Sequence, residues 1–325
     1  MSPQLRIDAR PLADGAVPLP RIALGCGNFG GVGSAPAFFG QGLSPAAAMA
    51  LMDAAWELGI THFDTADAYG GGRSELAIGE WMASRGVRPT LTTKTFNPMT
   101  GAAGAEHGLA PERVARQFHD SRQRLGVDHV ELYLAHEYDP DVPLSDALGA
   151  FERLRAANAI DAYGVSNFDA AELREALDAA PPTPPRAVQN GYSLLERGDE
   201  AEVLPLCARS GLAYIVYSPL CGGWLTGKYR RGAGYPAGSR MTQRPEPYAA
   251  LATDHTFTAL EALEAMATAR CTSMAGTALA WLLSDERIAQ VVIGPGRPAH
   301  LEPAREAIER PLTAGERSQL MEVFS

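Results

Sequence analysis

The chain has 325 residues and a formal net charge of −10. That length suits one large α/β domain with a sizeable core, and the acidic balance argues against nucleic acid as the main partner. No apolar run is long enough to span a bilayer. Met1 to Asp8 carries no leader-like apolar stretch, and Cys26, Cys207, Cys221 and Cys271 show no CxxC spacing. Reduced thiols, a cytoplasmic location and no metal site are therefore expected.

In chain order, residues 5–19 form two extended stretches around Ala13-Asp14-Gly15. Asp-Gly is a hairpin signal, and the hairpin is expected to plug one end of the fold. Strand candidates follow at 22–25, 61–64, 90–94, 130–135, 160–165, 186–190, 212–217 and 290–293. Helical patterns lie between them. Ser44-Pro45 caps a segment running to Leu58, and Gly59 ends it. Pro111 opens another to Leu125, stopped by Gly126. Asp169 caps a third, and the prolines at 181, 182, 184 and 185 forbid its continuation. Residues 221–247 form a long loop rich in Gly, Arg and Pro, and residues 313–324 read as an amphipathic outer helix. Eight strands alternating with helices predict a closed (β/α)8 TIM barrel, an α/β fold, as a single domain over 1–325.

Gly25-Cys26-Gly27-Asn28-Phe29-Gly30 matches a dinucleotide-binding GxGxxG. Such a fingerprint must open a helix, and here no helix begins before Ser44. A strand-end loop that lets backbone and Asn28 approach a ligand is expected instead, with a plain surface loop as the alternative.

Four polar residues stand at or beyond strand ends: Asp64 and Tyr69, then Lys94, then His136. The C-terminal rim of a parallel barrel is where chemistry is done. There Tyr69 suits a general acid, Lys94 would draw its phenol downward, Asp64 would hold Lys94, and His136 would orient a carbonyl. Singly, each reads as a surface, cap or loop residue; it is their meeting on one rim that points to chemistry. In the second half Ser166, Asn167 and Gln189 could bond a carboxamide, and Tyr217 could stack on a flat ring. Ser218, in the loop after residues 212–217, could face phosphate with backbone N–H groups. Lys228, Arg230, Arg231 and Arg240 could grip phosphates or stay solvated.

At these residues the chain resembles the aldo-keto reductase superfamily, from about residue 18 to about 310. The shared motifs are Phe63-Asp64-Thr65-Ala66-Asp67-Ala68-Tyr69-Gly70, Lys94, Leu132-Tyr133-Leu134-Ala135-His136, Gly164-Val165-Ser166-Asn167-Phe168, Val188-Gln189, and Tyr217-Ser218-Pro219-Leu220 through Leu225-Thr226-Gly227-Lys228-Tyr229. The chain is nearer to bacterial reductases and potassium-channel β-subunits than to the aldose-reductase branch. The resemblance implies NADPH-dependent reduction of a small carbonyl, with Asp64, Tyr69, Lys94 and His136 as catalytic tetrad. It assigns Ser166, Asn167, Gln189 and Tyr217 to the nicotinamide, and Ser218, Leu220 and Gly222 to the pyrophosphate. Lys228 and Arg240 fall to the cofactor-clasping loop, and Gly294, Gly296 and His300 to the adenosine 2′-phosphate. Pro303-Ala304 and His300 depart from the family pattern, which leaves NADH as an alternative cofactor; Arg297 is the nearby compensating cation. Glu131 stands where an Asp is usual, implying a modest structural change. Two other readings are a cofactor-binding regulatory or redox-sensing subunit, and a barrel using Lys94 as a Schiff-base amine. Neither substrate identity nor oligomeric state is legible here.

Overall fold

The computed structural model describes residues 7, 9–12, 16–179 and 182–325. Strands β1 (Ala9–Leu12) and β2 (Ala16–Pro20) pair antiparallel, as the hairpin signal predicts; the Asp-Gly turn itself lies outside the described residues. Eight parallel strands then close into a barrel. They are β3 (Ile22–Gly25), β4 (His62–Asp64), β5 (Thr90–Thr95), β6 (Val130–Ala135), β7 (Ile160–Ser166), β8 (Ala187–Gly191), β9 (Ala213–Tyr217) and β10 (Ile288–Ile293). Their order around the barrel is β10-β3-β4-β5-β6-β7-β8-β9, so each strand pairs with its sequence neighbour and β10 closes on β3.

The barrel strands are buried on both faces, and most of their interior residues are apolar. Thr92, Thr93, Lys94 and Thr95 of β5 and the mid-strand Gln290 are exceptions whose polar groups are buried. Leu132, Leu134, Ala162, Ile215 and Val292 form the inner cluster, and Leu12 and Leu19 of the hairpin join it. The hairpin runs directly into the start of β3, and the Gln290 amide donates to the Pro20 carbonyl at 2.8 Å. It therefore stoppers the N-terminal end and leaves the opposite end open. On the outer face of the strands, Tyr133 packs between Phe118 and Phe151 of the flanking helices, with ring centroids 4.8 and 5.0 Å away.

The helix ends follow local chemistry. Ser44 accepts from the Ala47 amide and Pro45 opens the helix Pro45–Leu58, which Gly59 ends at φ +98°. Asp169 and Glu172 form a reciprocal capping box on Ala170–Asp178. The closing helix, Ala314–Val323, has a similar box but buries fully only Leu320. Met321, Val323 and Phe324 pack on the core beside it, and polar anchors add to that hold. Arg317 donates to the Trp281 carbonyl and Asp285, and Glu316 pairs with Arg270. Glu131 accepts from the Leu91 amide at 2.8 Å and pairs with Arg88, so it ties β6 to the entry of β5.

The loop after β3 folds back on itself at the barrel mouth. The Leu43 amide donates to the Asn28 carbonyl at 2.7 Å, and the Gly40 amide to the Gly30 carbonyl at 2.7 Å. A Cβ on Gly42 would lie 2.2 Å from the Gly31 carbonyl oxygen and 2.3 Å from that of Asn28, both backbone atoms unable to swing away. We expect Gly42→Ala to cost about 2–3 kcal/mol, as overpacking against fixed atoms does. Urea denaturation checks this; an unchanged midpoint would mean that the loop backbone shifts freely.

Candidate active site

Parallel strands deliver their last residues to one rim, and the four rim candidates meet there. Asp64 ends β4, Lys94 lies near the end of β5, and His136 directly follows β6. Tyr69 arrives on the loop after β4. That loop is pinned where the Asp67 amide donates to the Lys94 carbonyl at 3.0 Å and the Thr65 amide to that of Thr92 at 2.8 Å.

Lys94 is fully buried, and its ammonium is the hub. It donates to Asp64 Oδ1 at 2.5 Å and to the Thr65 carbonyl at 2.9 Å, and reaches the Tyr69 hydroxyl at 3.5 Å. Burial opposes the ammonium, but Asp64 and Tyr69 together outweigh it and hold Lys94 above its ordinary pKa. An amine so enclosed and held charged is the opposite of what Schiff-base chemistry needs.

The sequence-based expectation for Tyr69 needs correction. Lys94 does draw the phenol downward, but burial outweighs it, and the net shift is upward. Tyr69 thus keeps its proton at neutral pH. Its ring packs against Gly27, where a Cβ would be 3.5 Å from the ring, and meets the His136 ring edge-on at 5.6 Å. Burial, helped by the Lys94 charge, pushes His136 down to about 3, so its imidazole is neutral. Its Nδ1 is buried with no hydrogen-bond partner among the described residues.

These groups open on a cleft of about 1720 Å³ that spans the mouth of the barrel. Its walls include Asp64, Tyr69, His136, Asn28, Ser166, Asn167, Gln189, Tyr217, Ser218, Leu220, Gly222, Lys228, Arg240, Gly294, Gly296, Arg297 and His300. The candidates therefore border one space, apart from Lys94, which lies beneath Tyr69, and Arg230 and Arg231. The amides are tightly held. Gln189 donates to Asp64 Oδ2 at 2.8 Å, and the Ser166 hydroxyl to the Gln189 carbonyl at 2.7 Å. Asn167 sits at φ +59°, donates to the His136 carbonyl and Glu137, and accepts from the Tyr217 hydroxyl at 2.6 Å. The glycine-rich segment is a strand-end loop, with the Asn28 amide donating to the Pro295 carbonyl at 2.9 Å.

The long loop divides its cations. Arg230 pairs with Glu264, and Arg231 with Asp254 and Glu261, on the neighbouring helix Asp254–Ala269. Lys228 and Arg240 line the cleft and have no carboxylate partner among the described residues; neither has Arg244 or Arg297. Burial, helped by the like charge of Arg244, draws the Arg240 guanidinium below its ordinary value. His300 receives the Gly296 amide at Nδ1 and Arg297 Nε at Nε2, though a neutral imidazole has only one accepting nitrogen. Uncompensated cations and a surplus donor fit a phosphate-bearing ligand. Phe38, Phe39, Met99 and His107 do not line the cleft.

Arg244, Glu137 and Glu196 also line it and were not singled out from the sequence. Arg244 is one arginine among several in a flagged loop, and Glu137 stands one residue beyond a flagged histidine. Nothing in the sequence marks Glu196.

Behind the rim, Asp67 is fully buried; Oδ2 accepts from Thr95 at 2.7 Å, while Oδ1 has no side-chain partner among the described residues. Burial, with repulsion from Glu75, pushes its carboxyl up to about 7. The folded state then binds a proton that the unfolded state releases between about pH 4 and 7, so this group's contribution to stability falls as pH rises through that window. We expect Asp67→Asn to lose less stability than the parent between pH 5 and 8, by on the order of 2–4 kcal/mol. Parallel urea melts at the two pH values check this; parallel losses in both proteins would show that Asp67 is not the titrating group.

Comparison with known proteins agrees with this geometry. The model of the Aldo/keto reductase family matches residues 21–324. An uncharacterised oxidoreductase of Bacillus subtilis (strain 168), YrpG, is 33% identical over 83% of this chain and 85% of its own length. A probable voltage-gated potassium channel subunit beta of Oryza sativa subsp. japonica is 31% identical over 79% and 80%. The structure of a glycerol dehydrogenase from Gluconobacter oxydans superposes with a TM-score of 0.82 at 25% identity, covering 98% of this chain and 94% of that one. With nearly the whole barrel matched by the family model, the chain belongs to the Aldo/keto reductase family of oxidoreductases.

Proposed function

We propose that the protein reduces a small aldehyde or ketone to an alcohol with NADPH, Tyr69 giving the proton to the carbonyl oxygen. The observation that carries this reading is the Tyr69 hydroxyl. It borders the cleft, keeps its proton, and lies 3.5 Å from an ammonium that Asp64 anchors.

The cleft suits a dinucleotide laid across the mouth. Asn167, Gln189 and Tyr217 would hold the nicotinamide. Ser218, Leu220 and Gly222 would border the pyrophosphate, with Lys228 and Arg240 reaching it from the clasping loop. Arg297, His300 and the backbone at Gly294 and Gly296 would receive a 2′-phosphate. When bound, NADPH supplies the hydride. The chain's own residues do the rest. Neutral His136 can share a hydrogen bond with the carbonyl oxygen without competing for its proton. Tyr69 gives its proton as negative charge grows on that oxygen. Lys94 then stabilises the phenolate, which matters most at the transition state, when the phenol's charge develops. Asp64 keeps Lys94 charged and in place.

Tyr69→Phe is expected to lower kcat by about 10²–10⁴-fold, the usual worth of a placed acid, with NADPH affinity changed by less than about threefold. Steady-state assays with propanal and tryptophan-quenching titrations check this. Unchanged kcat would remove Tyr69 from the role of donor. Wild-type protein that binds NADPH yet reduces no carbonyl would favour a regulatory subunit instead.

NADPH is expected to bind more tightly than NADH, and Arg297→Ala to shrink that preference by about tenfold or more, the worth of one charge-assisted hydrogen bond. The same titration measures both. Equal wild-type affinities would overturn the 2′-phosphate assignment.

A further inference from the structure

The charged walls of the cleft are distributed unevenly. Its cations without a carboxylate partner among the described residues, Lys228, Arg240, Arg244 and Arg297, all follow β9 or β10. The strand diametrically opposite β10 in the eight-stranded ring is β6, and the first residues beyond it are His136 and Glu137. Glu137 is half-buried in the cleft wall beside the rim histidine, so it stands across the mouth from the phosphate-grade cations.

The other acids lining the cleft are already engaged. Asp64 binds Lys94 and Gln189, Asp169 caps its own helix, and Asp199 accepts from Asn190 and Tyr214. Glu196 follows β8, and Cys221 hydrogen-bonds it. Glu137 receives one hydrogen bond among the described residues, from the Asn167 amide at 3.1 Å. No cation among the described residues pairs with it. Burial, with repulsion from Glu172, pushes its carboxyl up to about 7. A carboxyl group left with free acceptor capacity in a cleft gains from a ligand that brings a hydrogen-bond donor, and penalises one that brings a negative charge.

We propose that Glu137 is a specificity-determining residue: it favours carbonyl substrates bearing a hydrogen-bond donor, a hydroxyl or an ammonium, next to the carbonyl carbon, and excludes those bearing a carboxylate or phosphate there. This rests on the reductase reading above. Tyr69, His136 and Glu137 line the same cleft, so a carbonyl held at Tyr69 and His136 would place its adjacent substituent within reach of Glu137. The relevant discrimination is repulsive as well as attractive, since no lysine or arginine lines that side of the cleft.

A matched set of two- and three-carbon aldehydes tests the idea with NADPH: glycolaldehyde, aminoacetaldehyde, glyoxylate, and propanal as the uncharged reference. Wild-type kcat/KM for the better of the first two is expected to exceed that for glyoxylate by about 30-fold or more. Glu137→Gln keeps an acceptor for Asn167, so the fold and the rim should be undisturbed, and the ratio should fall about tenfold. Glu137→Lys should reverse it in favour of glyoxylate. In Glu137→Gln, loss of the aminoacetaldehyde rate with glycolaldehyde retained would identify ammonium as the donor; loss of the glycolaldehyde rate with aminoacetaldehyde retained would identify hydroxyl. Propanal turnover with the same ratio in all three proteins would overturn the proposal alone. Failure of wild type to reduce any of the four would overturn the reductase reading and this inference with it.

Discussion

The rim depends on the contact between Lys94 and Asp64. Two opposite charges have been taken almost wholly out of water at 2.5 Å, the lysine side chain at 0% exposure and the aspartate at 4%. Such a pair stabilises little by itself, because desolvation cancels much of the attraction; breaking it leaves one stranded charge. The surroundings make it tolerable. Thr65 offers a carbonyl to the ammonium, and Gln189 an amide to the second carboxylate oxygen. The pair therefore joins β4, β5 and β8 inside the barrel mouth, and any distortion of those strands would be felt at the ammonium.

From that pair the electrostatics of the site follow. A fixed positive charge beneath the rim disfavours a second one nearby, which helps keep His136 neutral. The same charge favours a phenolate over the bare expectation for an enclosed tyrosine, though not by enough to ionise Tyr69 at rest. A proton is thus retained in the resting protein and becomes easier to release once negative charge is wanted, which is what a general acid requires. Burial sets the direction of both shifts, and the lysine modulates them.

Much of this was readable from sequence because it depends on local order. The eight strands fell at the short runs that alternate with helical patterns, and the caps at Ser44 and Asp169 and the stops at Gly59 and Gly126 declared the helix boundaries. Rejection of the GxGxxG as a dinucleotide fold needed only the missing helix after it. Long-range facts were less accessible. That Arg230 and Arg231 pair outward while Lys228 and Arg240 turn inward depends on where Glu261 and Glu264 lie on another helix. The direction of the Tyr69 shift depends on how completely the loop after β4 encloses the ring. The closing helix is amphipathic as its pattern predicts, with Leu320 and Phe324 in the core, but its anchoring by Arg270 and Asp285 from distant segments was not legible.

The separation of charges across the mouth has an evolutionary consequence. The cations come from segments after β9 and β10, while the segments facing those strands across the ring follow β5 and β6. The two sets share no loop. Mutations that reshape one wall can therefore accumulate without disturbing the grip of the other. A barrel wired in this way can change the molecules it accepts while inheriting its chemistry intact.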